Sequence, residues 1–203
     1  MLAYDSSTRV IIGDADKGLP ELRPGSRYNV DSVTIADSFS IGVDLMTVIV
    51  ESHPDGSIDH DVMDLIDEFQ WRISHVEGVR STISLPQAAR ILAAAWSEGS
   101  PVWRELPRNQ DVLMQSLSSI ETSTGLLNSD ASVLPVMIFT EDHKAETIKR
   151  VTAAVEDFDR EFGIEGTARF LLATGNVGVM AATNEVVSAA QMRMLLTIYG
   201  VVI

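Results

Sequence analysis

The chain contains no cysteine. A disulfide framework, a thiol nucleophile and a thiolate metal site are thereby excluded, and the redox compartment stays unread. Basic residues are scarce as well: 15 Lys and Arg stand against 29 Asp and Glu, a formal net charge of −14. Such a surface repels phosphate backbones and the anionic cytoplasmic leaflet, which argues against nucleic-acid binding. It suits a loop on the non-cytoplasmic side of a membrane, because Lys and Arg near membrane spans favour the cytoplasm. No apolar run reaches the roughly 20 residues that a spanning helix needs, and Met1 to Arg9 has no apolar signal-peptide core. What the chain does have is 45% hydrophobic content over 203 residues, enough for one large domain or two small ones packed together.

The most apolar stretch comes last. Met192 to Ile203 becomes steadily more apolar and carries no capping glycine or charged tail. It is too short to cross a bilayer, yet it reads as the first half of a helix that would. The expectation is a soluble segment of a membrane protein, delivered by an upstream span. Residues 1–40 are then an extended lead-in after a transmembrane helix, and 177–203 a helix leading into a second one. Arg193 and Tyr199 are membrane-proximal on this reading, the Arg193 stem snorkelling to the interface.

Residues 41–176 hold the patterned part. Turn formers crowd the lead-in from Arg9 to Asp37. Val43 to Glu51 reads as a buried strand, broken by His53-Pro54-Asp55-Gly56. The stretch Ile58 to Val76 places Ile58, Val62, Leu65, Ile66, Phe69 and Ile73 at helical spacing, with Asp59, Asp61 and Asp64 in its first turns. Glu77-Gly78 ends it, and Val79 to Leu85 alternates like a half-buried strand. The order then recurs as strand Val133 to Thr140, helix Lys144 to Phe162 and strand Thr167 to Ala173. Both helices lead into a Glu-Gly pair, Glu77-Gly78 and Glu165-Gly166, offset by about 88 positions. The expected fold is therefore α+β, with ferredoxin-like βαβ repeats over 43–85 and 131–174 and both helices on one face of a four-stranded sheet.

A helical insertion, residues 86–124, separates the copies. Pro86 to Trp96 and Asn109 to Ile120 read as helices around a Gly99-Ser100-Pro101 break. Trp96, Trp103 and Leu106 are candidate partner contacts there. The alternative is that the insertion covers the open face of the sheet.

Catalytic chemistry finds little support. Asp55, Ser57, Asp59 and Asp61 alternate beside His53 and His60, but the order of a calcium loop is absent, and a β-turn before an acid-rich helix start explains them. His75 and His143 stand in no paired metal spacing. Gly175-Asn176-Val177-Gly178 occupies the place of a phosphate loop without a nucleotide fingerprint. No serine stands in a nucleophile elbow. The residues thus assign no catalytic group, metal or cofactor. Seven methionines besides Met1, Met46, Met63, Met114, Met137 and Met180 among them, suit core or an adaptable apolar surface.

Four separated blocks, in order, carry a family resemblance. They are Gly13 to Asn29 (GDADKGLPELRPGSRYN), Gly99 to Trp103 leading to Arg108-Asn109-Gln110, Asp142 to Thr147 (DHKAET), and Ala181 to Val187 (AATNEVV). Together they make nearly the whole chain resemble the second large extracytoplasmic loop of bacterial exporters of the resistance-nodulation-division (RND) superfamily, in the branch close to the MMPL (mycobacterial membrane protein, large) transporters. The resemblance implies a periplasmic porter-type domain of an inner-membrane efflux protein, with a transmembrane helix on either side. Its partners would be the membrane helices and companion periplasmic loop of the same transporter, with a hydrophobic small molecule or lipid as cargo; a homo-oligomer is compatible. Proton antiport would use acidic residues within membrane helices, outside this chain, so the resemblance transfers no catalytic residue and no cofactor. Sensing of an extracytoplasmic ligand, or partner docking, is the alternative role.

Overall fold

A computed structural model describes residues 22, 23, 25–39, 44–163 and 167–174, with 178, 179, 182, 183, 186, 187, 190, 193, 194 and 197–200. The first element corrects the extended lead-in: Arg27–Ser38 is a helix, α1. The turn formers stop at Ser26, whose amide closes a turn on the Arg23 carbonyl (2.8 Å) and whose hydroxyl caps the helix by accepting from the Asn29 amide (3.3 Å). Periodicity hides this helix because its apolar residues do not gather on one buried stripe. Tyr28, Val30, Val33 and Ile35 are all exposed.

Among the described residues there follow β1 (Asp44–Ser52), α2 (His60–Ser74), β2 (Val79–Ile83), α3 (Leu85–Trp96), α4 (Gln110–Leu117), β3 (Val133–Thr140), α5 (Ala145–Phe162) and β4 (Ala168–Thr174), with helical positions again between 178 and 200. The fold is α+β. Its sheet has four strands in the order β2-β3-β1-β4, with every neighbouring pair antiparallel. Val48 lies opposite Val136 on β3 and Leu172 on β4, and a register shift follows between Thr47 and Val48. Alternation sorts the side chains by face. Met46, Val48, Val50, Leu134, Val136 and Ile138 are buried in one core with Val62, Ile66 and Phe69 of α2 and Val151, Val155 and Phe158 of α5. Both long helices therefore cover the same face.

On the other face Ile49 pairs with Pro135 and Leu171, and Ile83 with Met137. Helices α3 and α4 do not cover it. Leu85, Ala89, Leu106 and Leu113 enter the same core as α2, so the insertion widens the helical layer. A polar clasp fixes it there. The Gln70 amide of α2 donates to the Thr82 hydroxyl (3.1 Å) and to the Gln87 side chain (3.1 Å), and its carbonyl accepts from the Ser84 hydroxyl. These groups are buried or nearly so, and mutual satisfaction is what makes that burial tolerable.

Gly78 joins α2 to β2 at φ 92°, and a Cβ there would lie 2.6 Å from Thr147 Cγ2. Its carbonyl accepts from the Glu141 amide (2.9 Å), tying this turn to the one before α5. Gly78→Ala is expected to cost about 2 kcal/mol, from left-handed strain plus the clash. A urea titration checks it: an unchanged midpoint would show that the turn relaxes freely.

Candidate interaction surface

Helix α3 is unusual in having two apolar faces. Ser84 caps it, accepting from the Gln87 amide (3.4 Å), and Pro86 sits in its first turn. Its one charged residue, Arg90, turns back to Asp67 of α2 at 2.7 Å. Burial raises the Asp67 carboxyl above its ordinary value, and Arg90 opposes that. Leu85, Pro86, Ala89, Ala93 and Ala94 are buried. Ala88, Ile91, Leu92 and Ala95 form a second stripe at i, i+3, i+4 and i+7; Ile91 and Ala95 face solvent, and Ala88 and Leu92 are half-buried.

The chain leaves α3 through two left-handed residues, Glu98 (φ 59°) and Gly99 (φ 74°). The Gly99 amide bonds the Ala94 carbonyl (2.8 Å), and a short 3-10 turn, Pro101–Trp103, packs back on α3. This geometry presents Trp96 (61% exposed), Val102 (79%) and Trp103 (62%) to solvent. Asn109 caps α4 through the amides of Asp111 and Val112, with Val112 and Met114 exposed. Of the three contact candidates read from sequence, Trp96 and Trp103 are on the surface. Leu106 is not: it is 8% exposed and belongs to the core, which removes it as a contact residue.

The other candidates lie apart. His53 Nε2 meets Asp59 Oδ2 at 3.0 Å, and Asp59 caps α2 through the Asp61 amide (2.9 Å). Partial burial pushes the Asp59 carboxyl up, but these bonds together hold it below its ordinary value. The Pro54 carbonyl and then Asp59 raise the His53 imidazole. Among the described residues no group of three His, Asp or Glu is placed to hold a metal ion. His75 ends α2, its ring 4.5 Å from that of Trp71 and Nδ1 2.7 Å from the Trp71 carbonyl. Arg193 and Tyr199 fall at exposed helical positions, where the Thr197 hydroxyl bonds the Arg193 carbonyl (2.9 Å). Among the described residues no helix is long and apolar enough to cross a membrane. Gly175, Asn176 and Val177 of the glycine-rich turn lie outside the described residues.

Two features escaped the sequence reading. Asp44 opens β1 and meets His143, from the loop before α5, at 3.1 Å with both side chains largely buried. Burial raises the Asp44 carboxyl, and His143 offsets this in part. A charged residue directly ahead of the apolar run of β1 was the available signal. The second is a groove of about 620 Å³ between α5 and β4, lined by Val155, Asp159, Gly163, Arg169, Phe170 and Leu172. Asp159 organises it. Its carboxylate accepts from Arg169 Nε and Nη2 (3.1 and 2.9 Å) and from the Phe170 amide (2.8 Å). An amide so engaged cannot also bond β1, so Asp159 blocks a hydrogen-bonding position on the outer edge of the sheet.

No protein-family model matches the chain, and no curated protein matches it.

Proposed function

We propose that this chain is the periplasmic porter-type domain of a proton-driven RND-superfamily exporter, in the MMPL-like branch, and that it forms part of the path of hydrophobic or amphiphilic molecules. One observation carries the reading: an internal correspondence inside the core. At the offset met first in the Glu-Gly pairs, Met46, Val48 and Val50 of β1 match Leu134, Val136 and Ile138 of β3, all buried. At one position more, Val62, Ile66 and Phe69 of α2 match Val151, Val155 and Phe158 of α5, also buried. Phe69 meets its counterpart Phe158 edge to face, with centroids 5.1 Å apart. Two such strand-helix-strand halves in the order β2-β3-β1-β4 support a ferredoxin-like, interleaved pair of βαβ units. That is the architecture which the four-block resemblance to the exporter loop implies.

The domain would act by position. It offers one wall of a cleft against the companion loop and shifts as a rigid body when the membrane part cycles. In the full-length transporter, deleting residues 44–174 should abolish export while the membrane part still inserts. Undiminished export would overturn the proposal.

The exposed Trp96 and Trp103 favour a second reading, docking of a partner by an extracytoplasmic domain. Replacing both by serine should leave unfolding free energy within about 0.5 kcal/mol of the parent, because neither is buried, while reducing co-purification with the rest of the assembly. Full retention of the assembly would count against docking.

A further inference from the structure

We propose that Asp44 and His143 form a proton-operated latch: when the pair takes up one proton from solvent, it fastens the end of the sheet at which the chain enters at Asp44 and leaves at Thr174. The device rests on the fold alone and is independent of the exporter reading. Because β4 runs antiparallel to β1, with Thr174 opposite Thr47, the connections to the residues before 44 and after 174 lie at one end of the sheet. Strand β3 finishes at the same end, with Thr140 opposite Asp44, and the loop that follows brings His143 Nδ1 to 3.1 Å from Asp44 Oδ1.

The two ends of the sheet are closed differently. At the far end, backbone bonds that do not titrate tie the start of β3 to the loop after β1: the Ser52 amide donates to the Ser132 carbonyl (2.8 Å) and the Asp55 amide to the Asp130 carbonyl (2.9 Å). At the near end the corresponding contact, between the start of β1 and the loop after β3, includes the Asp44–His143 pair. Its side chains are 14% and 8% exposed, whereas those of His53 and Asp59, beside the far end, are 41% and 39% exposed and screened by water.

With one proton the pair carries no net charge. Without it, a carboxylate stays buried beside a neutral imidazole, and the Asp142 carboxylate acts on it from the same loop. Burial, the dominant influence on the Asp44 carboxyl, pushes it up in the same sense. Stability held by the pair is thus present in acid and lost as pH rises. Asp142 is itself engaged by the Thr147 hydroxyl (2.7 Å) and lies 3.9 Å from Lys144 Nζ. From the neighbouring elements, Glu77 before β2 pairs with Arg150 of α5 (3.5 Å), β2 carries Arg80, and Glu141 and Glu146 are exposed. Histidine is the one side-chain type among these whose ordinary charge change falls between about pH 5 and 8.

Amide hydrogen exchange of the full chain, corrected for the intrinsic pH dependence of exchange, reads the latch directly. Protection of residues 44–47 and 138–143 should rise about tenfold between about pH 8 and 5.5, which a one-unit difference in proton affinity between fastened and open forms supplies. His143→Gln keeps a hydrogen-bond donor for Asp44 but cannot take the proton, and should flatten the rise. Asp44→Asn removes the buried carboxylate and should flatten it too, with circular dichroism confirming that both variants stay folded. Both variants keep His53, His60 and His75, so the contrast with the parent isolates the pair. Equal protection across this pH range in the parent overturns the proposal. So does a rise that either substitution leaves intact.

Discussion

Phe69→Ala should destabilise the fold by about 4 kcal/mol, within the range for emptying a buried aromatic site. Phe69 is fully buried, and its ring lies 5.1 Å from that of Phe158 and 4.7 Å from that of Phe170. It thus joins α2, α5 and β4 at one point. Phe158 continues the stack to Phe162 (4.9 Å), over which Arg72 lies at 4.3 Å while bonding Glu68 and Glu161. Truncation removes the middle of this assembly and leaves a cavity between helices that cannot close without moving the sheet. For a chain of this size the midpoint of thermal unfolding should drop by about 10 °C. A drop of a degree or two would mean that the two halves are not joined through this contact. Phe162→Ala, nearer the rim, should cost less.

Asp159→Asn should cost about 2 kcal/mol at neutral pH, because Arg169 loses its ionic partner and the Phe170 amide its charged acceptor. The loss should depend on pH in a definite direction. Arg169 foremost, and the Phe170 amide with it, hold the Asp159 carboxyl below its ordinary value against the opposing effect of burial. A depressed carboxyl stabilises the folded state fully above the unfolded value near 4, and the contribution is lost as pH falls through the folded value. The gap in midpoint between the parent and Asp159→Asn should therefore be constant from about pH 7 to 5 and shrink below that. A gap that widens in acid would contradict the assignment. Gly163 belongs to the same corner, since a methyl group there would run into the Asp159 carbonyl and carboxylate.

Periodicity exposed the regular elements well wherever one face was buried and the other was not. Strand Val133–Thr140 has the bounds expected for it, and α2, α5 and β4 differ by two residues or fewer at each end. The first insertion helix was readable from Pro86 at its start and the Gly99-Ser100-Pro101 break after it, whereas the second, read as Asn109 to Ile120, has Asn109 as its cap and ends at Leu117. Helix α1 was not, because no buried stripe marks it and Val30, Val33 and Ile35 are poor helix formers by propensity. Leu106 was misplaced for a related reason. Just after exposed Trp103, and with Arg104 and Glu105 before it and Arg108 after, it looks like surface, and only the fold returns it to the core. Long-range pairs were beyond reach in principle: Asp44 with His143, and the Arg90 guanidinium of α3 with Asp67 of α2, are joined by topology rather than by spacing.

The net charge of −14 suits the non-cytoplasmic position proposed for the domain. The exporter reading makes a stronger claim, that this domain belongs between two membrane spans. The most direct test is to determine the complete coding sequence around this segment and plot its hydropathy. The account predicts an apolar run of about 20 residues on each side, and a second periplasmic loop of similar length between other spans of the same polypeptide. A complete reading frame with no upstream span and no continuation of the apolar run beyond Ile203 would contradict it, and the transport role would go with it.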